Sequence, residues 1–246
     1  MKLDDIKKLH QKKYRAELGC FLVEGEHLIL ELQKAAKTNP LLAAATLYAS
    51  DSYGEVETDF ELLRISDKHM QKISDTKSPQ GIVAVVPMSA VAAPLKTADE
   101  KHTIYLHEIQ DPGNLGTILR TLAWFGGFKC VLSPSSVDPY NPKVVRASMG
   151  AIFHVPIELD ISLPTLQTRF DAFACLDTAG TALSAPQFSR HQCFVFGNEA
   201  RGVPREQLAE LGAESFSIQG NGVLESLNLA TAVNMCAYEL NRSLNL

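Results

Sequence analysis

Three stretches of this chain gather side chains able to align or polarise a reacting group. The first is Asp111-Pro112-Gly113-Asn114-Leu115-Gly116, with Arg120 following. It lies where an apolar run ends and a helical pattern begins. Read from spacing alone, Asn114 is a helix N-cap, Gly113 a turn residue and Arg120 a surface ion-pair partner. The second is Phe196-Gly197-Asn198-Glu199-Ala200-Arg201-Gly202-Val203-Pro204, in which an apolar strand runs straight into Gly, Asn and Glu. The third is the loop Gln219-Gly220-Asn221-Gly222, rich in residues that tolerate positive φ, leading through Ser226-Leu227-Asn228 into a long apolar segment. Carboxamides, one carboxylate and one guanidinium are suited to orienting a substrate and balancing charge. No cluster has metal-ligand spacing, and no Gly-x-Gly-x-x-Gly is present, which disfavours a nicotinamide site. The five cysteines form no Cys-x-x-Cys pair and read as reduced core residues.

The elements that must hold these groups alternate from Thr103 onward. Strands are expected at Ile104–Leu106, Cys130–Leu132, Val155–Ile157, Phe173–Leu176, Phe194–Phe196 and Phe216–Ile218. Helices are expected at Asn114–Phe125, Lys143–Met149, Leu163–Arg169, Arg205–Leu211 and from Leu227 to the C-terminal region, with Ser226 as N-cap. Such alternation implies an α/β fold with a parallel sheet covered on both faces, and ligands of such sheets gather beyond the carboxyl ends of the strands. Apolar residues from Leu227 to Leu240 occupy nearly every angle of a 3.6-residue period. A helix of that kind is expected to be covered on more than one side, by its own domain and by a second copy of the chain, which points to a homodimer.

Residues 1–87 read as a smaller α/β unit. It has a basic amphipathic helix marked by Ile6 and Leu9, strands at Phe21–Val23, Leu47–Ala49 and Ile82–Val86, and helices at His27–Ala36 and Asp67–Ile73. Residues 88–100, small and aperiodic, read as a linker, and 101–246 as the second domain. The net charge is −5, yet the first twenty residues hold Lys2, Lys7, Lys8, Lys12, Lys13 and Arg15 against Asp4, Asp5 and Glu17, a local basic footprint or a solvated face. No apolar run approaches the ~20 residues that span a bilayer, and the N-terminus lacks an apolar signal region, so a cytoplasmic protein without membrane partners is expected.

Taken in order, the three stretches resemble the motifs of the SpoU-type (TrmH-like) RNA ribose methyltransferases of the SPOUT superfamily. Asp-Pro-Gly-Asn-x-Gly-x-x-x-Arg at Asp111 is similar to the first motif, Gly-x-Glu-x-x-Gly at Gly197 to the second, and Ile218, Gly222 and Ser226-Leu227-Asn228 to the third. Gln219 and Gly220 depart from the usual Pro and Met of the third. Phe21-Leu22-Val23-Glu24-Gly25 and Ser78-Pro79-Gln80-Gly81-Ile82 resemble the substrate-binding domain preceding many such enzymes. The resemblance implies a C-terminal trefoil-knotted α/β domain behind a small RNA-binding-type domain. It implies S-adenosyl-L-methionine as cofactor, held by main-chain groups at Gly197, Ile218 and Leu227. The reaction implied is methyl transfer to a ribose 2′-hydroxyl of rRNA or tRNA, with Asn114, Arg120, Glu199, Ser226 and Asn228 as catalytic residues and no metal. Family accounts make the Arg a general base; because a guanidinium keeps its proton, a clamp on substrate phosphate is the physically preferred role. The resemblance further implies that the Arg reaches the partner subunit's cofactor site. The alternative is a non-catalytic RNA-binding protein that keeps the fold, and Gln219 and Gly220 are the features that favour it.

Overall fold

The structure is a computed structural model describing residues 1–92 and 101–244. In chain order its elements are α1 Leu3–Lys8, α2 Lys12–Leu18, β1 Cys20–Glu24, α3 Glu26–Ala36, β2 Thr46–Ser50, β3 Glu61–Ile65, α4 Asp67–Ile73, β4 Ile82–Pro87, α5 Met88–Ala92, β5 His102–Leu106, α6 Pro112–Phe125, β6 Phe128–Leu132 and α7 Pro142–Ser148. There follow β7 Ile157–Glu158, α8 Leu163–Gln167, β8 Phe173–Ala182, β9 Cys193–Phe196, α9 Arg205–Glu210, β10 Glu214–Ser217 and α10 Leu229–Leu244. They group into two compact units, Met1–Leu95 with Asp138–His154, and Lys96–Val137 with Val155–Leu246.

The first unit is built on a four-stranded sheet of order β1-β4-β2-β3, antiparallel except for the parallel β2–β3 pair. β4, apolar from Ile82 to Val86, is buried throughout, as a strand covered on both faces must be. Ile6 and Leu9 pack with Met70 and Ile73 of α4 onto Leu22, Tyr48, Val83 and Val85. The expected single basic helix is two, α1 and α2, because the chain turns after Leu9, whose carbonyl accepts from Arg15 Nη1 at 2.8 Å. Arg15 is buried, and its guanidinium also meets Asp138 at 2.9 and 2.6 Å. The edge strand β3 escaped the sequence reading: Glu61-Leu62-Leu63-Arg64-Ile65 has no apolar alternation and is mostly exposed. Of the expected linker, Met88–Ala92 is a short helix with Ala90 and Val91 buried, and the remainder lies outside the described residues.

The second unit is a six-stranded, wholly parallel sheet of order β10-β8-β9-β5-β6-β7. On one side Leu163, Leu166 and Leu208 close over Tyr105, Val131, Phe173, Cys175 and Val195. α6 buries Leu115, Ile118, Leu119 and Leu122, and packs beside α10, whose Ala230, Val233, Cys236, Ala237 and Leu240 are buried. The strand expected at Val155–Ile157 is only Ile157–Glu158; Pro156 lacks an N–H, and its carbonyl alone joins the sheet, accepting from Cys130 at 2.9 Å. Burial raises the thiols of Cys130 and Cys193 to about 12, so both sit in this core as small apolar groups.

Strand β8 runs well past the expected Leu176. Its partner β10 pairs with Ala174 and Cys175, then resumes at Thr181 and Ala182, so the stretch between is looped out of register. A Cβ at Gly180 would stand 2.5 Å from the Ser215 carbonyl oxygen, which explains why the return needs glycine.

Candidate active site

The loops after β5 and β9 and the start of α10 meet at the carboxyl ends of the parallel strands, through one chain of hydrogen bonds. Asp111 is the N-cap of α6, its carboxylate accepting from Asn114 N at 2.7 Å. That corrects the reading of Asn114 as the cap: Pro112 occupies the first helical turn, where its missing N–H costs nothing, and the cap is Asp111, directly before it. Asn114 is thereby free to use its side chain elsewhere. Its Nδ2 donates to Glu199 at 3.3 Å, and its Oδ1 accepts from Asn228 Nδ2 at 2.9 Å. Glu199 also accepts from the main-chain N–H groups of Gln110 (3.1 and 3.3 Å) and Asp111 (3.0 Å).

The polarity of this chain is determined at both ends. A carboxylate only accepts, so Asn114 must turn its NH2 toward Glu199. Asn228 caps α10, its Oδ1 accepting from Thr231 N at 3.2 Å and its carbonyl from Ala232 N at 3.0 Å. That leaves its NH2 for the Asn114 oxygen. Ser226, expected as the cap, lies instead on the exposed loop, and α10 begins at Leu229 rather than Leu227.

The loop after β9 is held by Asn198, which is buried. Its Nδ2 donates to the Glu108 carbonyl at 2.7 Å, its Oδ1 accepts from Ala200 N (2.9 Å) and Arg201 N (3.0 Å), and its main chain exchanges two hydrogen bonds with Gly202. Arg201 pairs with Glu108, and Arg205 meets Asp177 at 2.7 and 2.8 Å. That pairing keeps the Asp177 carboxyl below its ordinary value. Gly197 has a reason other than ligand approach: a Cβ there would lie 2.1 Å from the Gly202 carbonyl carbon.

These residues border a cavity of about 1620 Å³. Its walls include Asn114, Glu199, Gly197, Ile218, Ser226, Leu227 and Asn228. Among the described residues, the main-chain groups of Gly197, Ile218 and Leu227 make no hydrogen bond. At Gly220 and Gly222 an added Cβ would meet nothing, so the loop is open on its cavity side. No group of three or more His, Cys, Asp or Glu among the described residues is arranged to hold a metal ion.

Arg120 stands apart. It is exposed on α6, does not line the cavity, and has no hydrogen-bond or ion-pair partner among the described residues. On the same helix Trp124 is 85% exposed. Across from it α10 is less uniformly covered than its composition suggested. Thr231, Met235, Tyr238 and Arg242 form an exposed stripe, with Tyr238 against Phe125 at 6.3 Å between ring centroids. Sequence reasoning passed over Gln110, Asp111 as cap, Asn198 and the Glu108–Arg201 pair. Only the side-chain capping preference of Asp before Pro could have exposed one of them.

Residues 101–238 match the SpoU rRNA Methylase family, and residues 2–84 the MRM3-like substrate binding domain. Over 248 aligned residues the chain is 32% identical to a Bacillus subtilis protein named 23S rRNA (guanosine(2553)-2′-O)-methyltransferase RlmP, covering 97% of this chain and 95% of that one. Its fold superposes at TM-score 0.79 on a TrmH-family protein from Porphyromonas gingivalis, with 27% identity over 98% of this chain and 97% of that one. It superposes equally, at 0.79, on an AdoMet-bound rRNA methyltransferase from Sinorhizobium meliloti, with 26% identity over 98% and 94% of the two chains. With all three motifs at strand ends of a parallel sheet and a family match over more than half its length, this chain belongs to the SpoU rRNA methylase family.

Proposed function

We infer that the protein transfers the methyl group of S-adenosylmethionine to a ribose 2′-hydroxyl of RNA, ribosomal RNA being the substrate class that its relatives' names favour and the cytoplasm its place of action. The observation that carries this reading is the Asn228–Asn114–Glu199 chain at the edge of a cavity large enough for cofactor and nucleotide together. The cofactor fits this wall: apolar Leu176, Val203 and Leu227 offer contact, and the main chain at Gly197, Ile218 and Leu227 can bind the polar edges of an adenosine. When bound, the sulfonium supplies the activated methyl group.

The residues of the chain do the rest. Glu199, tied to two main-chain N–H groups, fixes the Asn114 amide, and Asn228 fixes its other end, so the polar rim is set before RNA arrives. Preorganised alignment of this kind is worth up to roughly 7–11 kcal/mol of a bimolecular barrier. Ser226 and the open loop around it complete the wall facing the substrate. Arg120 clamps a phosphate next to the hydroxyl, serving the cavity of a partner copy. Its separation from its own cavity, with Trp124 exposed on the same helix and Met235 and Tyr238 exposed on α10, supports a homodimer that pairs these faces. The trefoil knot of the C-terminal segment is part of the same reading.

The test pairs calorimetry with methyl transfer to rRNA from cells lacking the protein. Wild type is expected to bind one S-adenosylmethionine per subunit. Asn114→Ala is expected to keep that affinity within a few-fold while methyl transfer falls by at least tenfold. Failure of wild type to bind the cofactor at millimolar concentration would instead mean that the chain is a non-catalytic RNA-binding protein.

A further inference from the structure

In the first unit, acidic residues gather in one crossover and lysines gather on α1 and α2. The crossover between β2 and β3 carries Asp51, Glu55, Glu57 and Asp59 with no basic residue among them. It runs beside α3, where Gln33 Nε2 donates to the Glu57 carbonyl at 3.0 Å. α3 packs on β1 and β4, and α1 and α4 cover the face formed by Leu22, Tyr48, Val83 and Val85. Because side chains alternate along a strand, the residues between these point to the α3 side. An RNA strand approaching the acidic side is repelled, and one approaching α1 and α2 meets Lys7, Lys8, Lys12 and Lys13, all exposed.

Within that basic face lies one aromatic ring. Tyr14 is half-buried on α2, with Lys8 Nζ 5.7 Å and Lys13 Nζ 5.6 Å from its ring centroid. The arrangement is held from beneath. Buried Arg15 ties the α1–α2 turn through the Leu9 carbonyl and anchors α2 to Asp138, while Lys8 is steadied by Asp5 at 2.9 Å. Lys12 and Lys13 make no ion pair with a carboxylate among the described residues, so their charge is available to an outside anion. A ring with ammonium groups around it and free lysines beside it is what an unpaired base and its flanking phosphates require.

We propose that Tyr14, flanked by Lys8, Lys12 and Lys13, is a stacking platform on which the protein binds a single-stranded base of its RNA substrate. The inference rests on the reading of this protein as an RNA methyltransferase and adds where, and in what form, RNA is gripped. A base stacking on the ring displaces one ammonium, which then pairs with the adjacent phosphate. Duplex RNA, whose bases are already stacked, gains only the phosphate contacts.

The experiment measures binding of a short labelled single-stranded oligoribonucleotide, and of the same sequence as a duplex, across a salt series. Tyr14→Ala is expected to weaken single-strand binding about tenfold, the size of one lost base–aromatic stack, without changing the salt slope. Duplex binding is expected to change little, and Tyr14→Phe to bind as wild type does. Lys12→Ala and Lys13→Ala are expected to lower the salt slope by roughly 0.7 each. Should Tyr14→Ala destabilise α2, Tyr14→Leu keeps the packing and is expected to show the same loss. Wild-type affinity in both Tyr14→Ala and Tyr14→Leu overturns the proposal, as does an equal loss on single strand and duplex. Methyl transfer by the wild type is measured in parallel, so an inactive enzyme that still binds RNA through Tyr14 defeats the functional reading and leaves this one standing.

Discussion

At the scale of single residues, Asn228 does two tasks that one substitution can separate. Asn228→Asp retains the oxygen that caps α10 but replaces the donor facing Asn114 with a second acceptor. Asn114 must then turn its NH2 away from Glu199. We predict a fall in kcat of at least tenfold, with stability changed by less than about 1 kcal/mol. Asn228→Ala is expected to lose the cap as well, at a further cost of roughly 0.5–2 kcal/mol. Thermal unfolding and single-turnover methylation of both variants check this, and an Asp variant with wild-type kcat removes the chain of amides from the mechanism. His102 gives a pH prediction. Burial between Phe128 and Phe194 lowers its pKa from 6.5, so the folded state resists its protonation. The unfolded chain binds that proton first. Stability is therefore full above 6.5 and declines as pH falls from 6.5 toward the folded value. His102→Phe is expected to flatten the melting temperature across that interval, and an unchanged acid-side slope would assign the decline to other groups.

At the scale of elements, the return of β10 to β8 after the looped stretch brings main chain against Gly180. Gly180→Ala is expected to destabilise the second unit by about 1–3 kcal/mol, because the intruding carbon meets backbone and not a side chain that can move. Denaturant titration measures it, and a neutral effect would show that this strand pair is loosely held. The α6 and α10 face carries the dimer prediction. Arg120→Ala and Asn228→Ala are each expected to be inactive alone. If Arg120 serves the partner's cavity, mixing them with subunit exchange yields about half heterodimers, each with one complete site, and activity returns to roughly a quarter of wild type. Exchange confirmed by mass spectrometry with no recovered activity would assign Arg120 to its own subunit.

These elements also show what a sequence displays and what it conceals. β5, β6, β9 and α4 were readable because their apolar residues are continuous or periodic and their ends are marked by caps and glycines. β3 was not, because an edge strand half in water needs no apolar pattern. α10 was read as apolar all round, yet small residues such as Ala230 and Ala237 contribute to that count while being buried on one side only. Asn114, Glu199 and Asn228 could each be picked out by position, but not their mutual bonds, which join residues far apart in the chain.

At the scale of the whole molecule, residues 2–84 match a substrate binding domain and residues 101–238 the SpoU methylases. The central claim is chemical: the methyl group goes to a ribose oxygen. The measurement that addresses it most directly uses S-adenosylmethionine labelled in the methyl group, rRNA from cells lacking the protein, and alkaline hydrolysis of the product. Alkali cleaves RNA through the free 2′-hydroxyl, so a nucleotide methylated there stays joined to its neighbour. The account predicts label in alkali-resistant dinucleotides, present with wild type and greatly reduced with Asn114→Ala. Label recovered in mononucleotides would place the methyl group on a base and contradict it.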